Sequence, residues 1–557
     1  MRPGNLAITT SNGSKAAVKL IYNGGNLSLR EWFSVSWFYP DDFTAKKFFE
    51  LEDAYFVDGG DVLYKFQKSS GVSFKQKWSS AVRELVDHSL LAPNLYVGLR
   101  VLSFVDHEPL WSSLYSADEV CNIEMSEVGN EVAIVMAKLP NSLQLTQVLK
   151  KWQNLSLNHV KNMVSLLSSF YLGQQQFAGP LFSSSPQLFF ERSIELPLRN
   201  LTDFVFSYGG FLDTFTKAAF EESISFLNKF AEKNTELFLQ RGKQGYVIDC
   251  HGALTTDAVY FRRAVRKPTD ISIINRPRQQ TEYRRNDVLF DVATLSSNLQ
   301  AHGFYRQAKQ FERIFFSENP ELKNETLFNF YRCYSAAREA AHLISSPNNK
   351  TEIFANRLLA IALQASLGLG EPFLVVVDSE ETEESLLLAE NIQELVAAQV
   401  ITRSQMQNEL LYCEELPDLM FEEILQRAST VLDTGSPVVI VWPLSRLEYV
   451  IALRELVQRD KLNHVVAKLS LSSEEKLIRQ LSEDRSLTFV GKRSENSFFK
   501  EKLEGLVATY VEPVIAAPQV AIAILNEIGR YFESDLKDTQ SERDFGIETV
   551  MKDYCNI

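Results

Sequence analysis

Apolar residues recur along this chain in two rhythms. Between 32 and 66, short runs rich in Phe, Tyr and Val are broken by Asp58-Gly59-Gly60-Asp61, a turn sequence that predicts a β-hairpin. Its second strand reads Val62-Leu63-Tyr64-Lys65-Phe66. From 74 to 91 the period lengthens to that of a helix, with Trp78, Val82, Leu85 and Val86 on one stripe and Glu84 among them. A second helical pattern covers 143–172. In the last third, apolar runs at 372–377 and 437–442, and a third at 465–469 interrupted by Lys468, alternate with helical patterns at 386–400 and 446–459. Short runs of that kind predict buried strands, and their alternation with helices predicts a parallel α/β sheet. Residues 346–371 read as a helix leading into this region, and 520–532 as a terminal helix before a charged tail.

With 557 residues the chain is too long for one core, so two or three domains are expected. Hydrophobic residues make up 45% and charged residues 23%, the balance of a globular protein. A net charge of −14 argues against nucleic-acid binding over the surface as a whole. No apolar run reaches the ~20 residues of a membrane span, and the N-terminus lacks a secretory apolar core, so a cytoplasmic protein without a membrane span is expected. The five cysteines include no C-x-x-C pair and the seven histidines are dispersed, which suits reduced thiols and gives no support for a zinc site.

The chemistry-bearing stretch is 249–258, Asp249-Cys250-His251-Gly252-Ala253-Leu254-Thr255-Thr256-Asp257-Ala258. It resembles the catalytic loop of aminoglycoside-phosphotransferase-like kinases, D-x-HGDLHxxN. The resemblance is carried further by Leu91-Ala92-Pro93-Asn94-Leu95-Tyr96-Val97-Gly98, by 132–140, by Asp291-Val292-Ala293-Thr294-Leu295 and by Phe330-Tyr331-Arg332-Cys333-Tyr334, in consistent order from about 30 to 345. These segments match a bacterial two-domain family in which such a kinase is fused to a P-loop ATP-binding domain of the zeta-toxin or gluconate-kinase kind. The resemblance implies an α+β bilobal protein-kinase-like domain followed by an α/β P-loop-type parallel-sheet domain. Its parts would be an arm at 1–30, an N-lobe at 31–140, a C-lobe at 141–345, the P-loop-type domain at 346–517 and a helix and tail at 518–557.

Carried over residue by residue, the resemblance makes this chain a degenerate member. The base position is Ala253, the next His position is Thr255, and the metal-binding Asn position is Ala258. Asp257 lies four residues beyond the missing base, on the wrong part of the loop to replace it. Nucleotide-binding remnants are Lys65, which would hold phosphates, Glu84, which would orient Lys65, and Asp270, the one candidate Mg²⁺ ligand. Asp249 and His251 are expected to serve structure. Where the second domain should carry G-x-x-G-x-G-K-S, this chain has Asp378-Ser379-Glu380-Glu381-Thr382-Glu383-Glu384-Ser385, with Glu384 at the Lys position. Each like-charge contact with a polyphosphate at ~4 Å would cost about 4 kcal/mol before screening. Acidic residues there instead suit a helix N-terminus.

One feature stands apart from this loss. Arg262, Arg263, Arg266, Lys267, Arg276, Arg278, Arg284 and Arg285 place eight cations in 24 residues of an acidic chain. They read as a basic hairpin that either answers the acidic surface or holds an anionic partner. The expected function is therefore a catalytically impaired pseudokinase and pseudo-ATPase, acting as a regulatory or scaffolding protein through another protein. No cofactor is expected, ATP and Mg²⁺ being the candidates the architecture offers. One alternative is a phosphotransferase or nucleotidyltransferase with a rearranged cleft. Another is a nucleic-acid-associated module using the Arg-rich hairpin 262–285.

Overall fold

The computed structural model describes the chain between Lys47 and Leu469, apart from internal stretches of at most six residues, and again at Ala508–Val511 and at scattered positions between 518 and 528. The expected arm at 1–30 and the tail beyond 528 lie outside the described residues. Described positions between 518 and 528 are helical, and Ala521, Ile524 and Leu525 are buried there. The protein is a mixed α/β structure in two units, one formed by 1–147 with 258–274 and the other by 148–257 with 275–557.

The first unit opens with β1 (Lys47–Glu50), β2 (Ala54–Asp58) and β3 (Val62–Gln67), then helix α1 (Phe74–Ser89), β4 (Tyr96–Val105), β5 (Glu108–Trp111), β6 (Tyr115–Ser116) and β7 (Glu131–Ala137). These strands form an antiparallel sheet in the order β1-β2-β3-β7-β4-β5, with β6 paired to β4. The β2–β3 turn falls where the sequence places it. Asp58 Oδ1 accepts the Gly60 N–H at 2.9 Å, and Gly60 takes φ 101°, a conformation glycine adopts without a Cβ penalty. Helix α1 starts in a capping box between Ser73 and Gln76. Trp78, Ala81 and Leu85 bury against Leu99, Val101, Val132 and Ile134, each large side chain contributing about 1.5–3 kcal/mol. Val86, expected on the buried stripe, is 41% exposed. The packed face runs instead toward His88, whose Nδ1 lies 3.0 Å from the Tyr96 hydroxyl.

The chain continues in the second unit through α2 (Leu157–Ser183), α3 (Thr214–Lys233) and β8 (Val247–Asp249). It contributes β9 (Val259–Phe261) and β10 (Ile271–Ile273), an antiparallel pair, to the first unit, and re-enters the second at β11 (Arg285–Asp287), which pairs with β8. Helices α4 (Val288–Ala301), α5 (Tyr305–Glu318), α6 (Glu325–Ser345) and α7 (Glu352–Ser366) follow. Helix α4 is buried on nearly every face, so its polar members Asp291 and Asn298 must find partners inside the protein.

The remaining elements are β12 (Phe373–Asp378), α8 (Glu383–Val396), β13 (Gln399–Thr402), α9 (Pro417–Asp433), β14 (Val438–Val441), α10 (Leu447–Asp460), β15 (Asn463–Leu469) and β16 (Ala508–Val511). They build an all-parallel sheet in the order β13-β14-β12-β15-β16. The three apolar runs become β12, β14 and β15. The helical pattern expected to reach residue 400 stops at Val396, because Ala397 turns left-handed at φ 52° and releases Val400 and Ile401 to pair with β14.

Candidate functional site

Lys65 and Glu84 come together in the first unit. Lys65 on β3 points its Nζ at Glu84 Oε1 from 3.1 Å, and Gln67, two residues along the same strand face, donates to Glu84 Oε2 at 2.9 Å. Glu84 is buried, so donors such as these must replace the water its carboxylate has lost. Replacing Lys65 by Met should deprive the buried Glu84 of a charged donor and destabilise the protein by about 1–3 kcal/mol, read as a lower urea midpoint. Lys65→Arg should recover part of the loss. An unchanged midpoint in Lys65→Met would mean that the pair contributes nothing to holding α1 on the sheet.

The loop at 249–258 is held by carboxylates that face its backbone. Asp291 of α4, fully buried, accepts the N–H groups of His251 at 2.6 Å and Gly252 at 2.8 Å, and the Tyr171 hydroxyl donates to it at 3.3 Å. Gly252 sits at φ 84°, which permits the turn that aims both amides at one carboxylate. Burial pushes the Asp291 carboxyl up to about 6 against the opposing pull of these hydrogen bonds. His251 is fully buried and its Nδ1 accepts the Ala253 N–H at 3.3 Å. Asp249 is enclosed by two guanidinium groups: Arg284 pairs with both its oxygens, at 2.8 and 2.5 Å, and Arg276 lies 3.0 Å from Oδ2.

Further along, Asn298 accepts the Thr256 N–H and hydroxyl at 2.9 and 2.6 Å and donates to Glu339 at 2.9 Å. Burial pushes the Glu339 carboxyl up to about 7. Asp257 is exposed, while Ala258, at the position that the resemblance assigns to a metal Asn, is packed in the first unit at 1% exposure with its carbonyl accepting the Ile274 N–H. A methyl group at this buried position offers no ligand atom.

Asp270 stands before β10. Its Oδ2 accepts the N–H groups of Arg266 at 3.0 Å and Lys267 at 3.1 Å, closing the β9–β10 loop. The Arg266 amide holds the carboxyl below its usual range, with the Lys267 amide and the charges of Lys267 and Arg262 acting in the same direction. Cations on both sides make this carboxylate a poor place for Mg²⁺. At the exit of β10, Asn275 takes a left-handed φ of 64°, a polar residue in a constrained position that the sequence reading passed over.

The basic strip does not form one hairpin over 262–285. Arg262, Arg263, Arg266 and Lys267 lie exposed on the β9–β10 loop in the first unit. Arg276 is buried in the second, where it donates to the carbonyls of Cys250 at 3.0 Å and Asp249 at 2.6 Å. Arg284 is bound to Asp249, Arg285 is exposed on β11, and Arg278 falls outside the described residues. Two of the eight cations are thus structural, holding the loop at 249–251.

The segment 378–385 lies between a strand and a helix, with Asp378, Glu381 and Ser385 bonded to the protein and Glu380, Glu383 and Glu384 exposed. Thr382 and Ser385 form a capping box at the start of α8. The fully buried Ser385 hydroxyl also donates to the carbonyls of Glu380 and Thr382, at 2.9 Å each. Asp378 Oδ1 accepts the Leu444 N–H at 2.7 Å, tying the end of β12 to the exit of β14. Glu381 accepts the backbone N–H and hydroxyl of Ser404 at 2.9 and 2.5 Å. Glu384 is exposed at the helix start. After β14, Trp442 is 2% exposed and packs on Phe421 and Tyr449 with ring centroids 5.3 and 5.7 Å away.

Among the described residues, no helix is long and apolar enough to cross a membrane, and no group of three or more His, Cys, Asp or Glu is placed to hold a metal ion. No family model matches the chain, and no curated protein does. Among solved structures, two crystal forms of a glucosamine kinase are similar to it at a TM-score of 0.32. They are 10% and 11% identical and cover 61% and 59% of this chain and 80% and 78% of their own.

Proposed function

We propose that this protein is a kinase-like pseudoenzyme, with a P-loop-type α/β region that has likewise lost its phosphate-gripping groups, acting as a regulatory scaffold for another protein. What carries the reading is the allocation of carboxylates around 249–258. Ala253 occupies the base position, while Asp249 and Asp291 are both engaged in holding the loop's own backbone and neighbouring guanidinium groups. A general base must reach the acceptor proton at ~3 Å, and these two carboxylates have other work. At 378–385 the helix start is capped by Thr382 and Ser385 and flanked by acid, which disfavours a phosphate there.

The Lys65–Glu84 pair favours a second reading, in which a nucleotide still binds and a nucleotidyl or phosphoryl group is moved by a rearranged site. Thermal denaturation with and without ATP and Mg²⁺, paired with a transfer assay on aminoglycosides and amino sugars, separates the two. The scaffold reading expects no midpoint shift and no transfer. A shift accompanied by transfer that is abolished in Lys65→Met establishes the second reading in its place.

A further inference from the structure

The β9–β10 loop and the end of β7 enclose a cavity of about 640 Å³, within the size range of small-molecule sites. Every residue lining it belongs to the first unit, and neither Lys65 nor Glu84 is among them. It is therefore a different place from the Lys65–Glu84 pair and from the loop at 249–257. One wall is apolar, made by Ala137, Leu139, Pro140 and Leu143. The lining also carries Arg262, Arg263, Arg266 and Lys267, with the Asp270 carboxylate among them. Among the described residues none of these four side chains has a carboxylate within ion-pair distance or a side-chain hydrogen bond, in a protein with net charge −14. Lys138, also on the lining, is already neutralised by Asp58 at 2.5 Å.

The loop carrying these cations is fixed. Asp270 Oδ2 holds the Arg266 and Lys267 amides, the Arg262 N–H donates to the Asp270 carbonyl at 2.9 Å, and the Asn94 side-chain amide donates to the Thr269 carbonyl. Preorganisation of this kind lowers the entropic cost of gathering like charges around a ligand. Four cations gathered around the single carboxylate of Asp270 leave an excess of positive charge, and an anionic ligand relieves their mutual repulsion. Guanidinium groups match phosphate oxygens bidentately, and the apolar wall has no use for a bare inorganic ion.

We infer that this cavity is a binding site for a small molecule with an apolar body and a phosphate group. The inference goes beyond the scaffold reading proposed above by adding a small-molecule ligand. It does not depend on the absence of phosphoryl transfer: detected transfer would refute the scaffold reading and leave this site standing.

The test is isothermal titration of the full chain with 1-naphthyl phosphate, orthophosphate and 1-naphthol, at low and at physiological salt. Naphthyl phosphate should bind more tightly than either fragment and more weakly at higher salt. Arg262→Gln/Arg266→Gln should weaken it about tenfold or more. Leu143→Asp should weaken it by placing a carboxylate on the apolar wall. Arg285→Gln, an exposed cation outside the cavity, should leave it unchanged, and all variants should keep the parent's thermal midpoint to within a few degrees. No binding overturns the inference, as does equal affinity for orthophosphate and naphthyl phosphate or equal loss in Arg285→Gln. Displacement of naphthyl phosphate by a short oligothymidylate at lower concentration than by unlabelled naphthyl phosphate itself would overturn it in favour of a nucleic-acid surface.

Discussion

Asp291→Ala is expected to lower the unfolding free energy by about 3–5 kcal/mol. The substitution leaves the His251 and Gly252 N–H groups facing an empty buried space, and each unsatisfied donor costs about 1–3 kcal/mol. Tyr171 loses its acceptor in the same step. Asp291→Asn keeps one acceptor oxygen but turns an NH₂ group toward the second amide, so its loss should be smaller than alanine's and still measurable. The pH dependence gives an independent check. Burial raises the folded-state carboxyl to about 6 from an ordinary value of 3.8. Between those values the folded protein binds more protons than the unfolded chain, so the contribution is fully present below about pH 4 and is lost as pH rises through about 6. Its size is about 3 kcal/mol. Urea unfolding of the parent and of Asp291→Asn across that interval should show the difference between them shrinking as pH rises. A constant difference would mean that Asp291 does not titrate there.

The elements of this fold were legible wherever the signal was local. The Asp58–Asp61 turn, the helix at 74–89 and the three apolar strands are written in periods of two to four residues or in single turn sequences, and they form as read. The four-residue strand Gln399–Thr402 was absorbed into the preceding helix pattern because only the left-handed turn at Ala397 separates them, and alanine gives no warning of that conformation. Pairing between distant residues was legible only where the resemblance supplied it, as for Lys65 and Glu84. Counting cations along 262–285 suggested one basic surface, yet Arg276 and Arg284 are drawn to Asp249, 27 and 35 residues upstream, by a partnership that composition cannot reveal. Asp270, read as a candidate Mg²⁺ ligand, accepts the amides of Arg266 and Lys267, its neighbours in sequence, and a carboxylate that closes its own loop reads on paper like one open to a metal.

Arg241→Met should cost as much as the loss of Asp291, about 3–5 kcal/mol. Arg241 and Asp287 form a bidentate pair, Nε to Oδ2 at 2.7 Å and Nη2 to Oδ1 at 2.9 Å, with 4% and 1% of their surfaces exposed. Asp287 also caps α4 by accepting the Leu289 N–H at 2.9 Å, so the pair fixes the start of the helix that carries Asp291. Without Arg241 a carboxylate remains buried with backbone and dipole support alone. The decisive variant is the double one. Arg241→Met/Asp287→Asn removes both charges and keeps a good capping side chain, so it should recover more than half of the single variant's loss by urea unfolding. That outcome would mean that the cost of Arg241→Met comes from stranding a charge, because a matched pair of buried ions is close to neutral against apolar replacement. If the double variant is as unstable as the single one, the guanidinium matters for its contacts with the Leu322 carbonyl and the Tyr246 ring, and the α4 start is held by packing instead of by the ion pair.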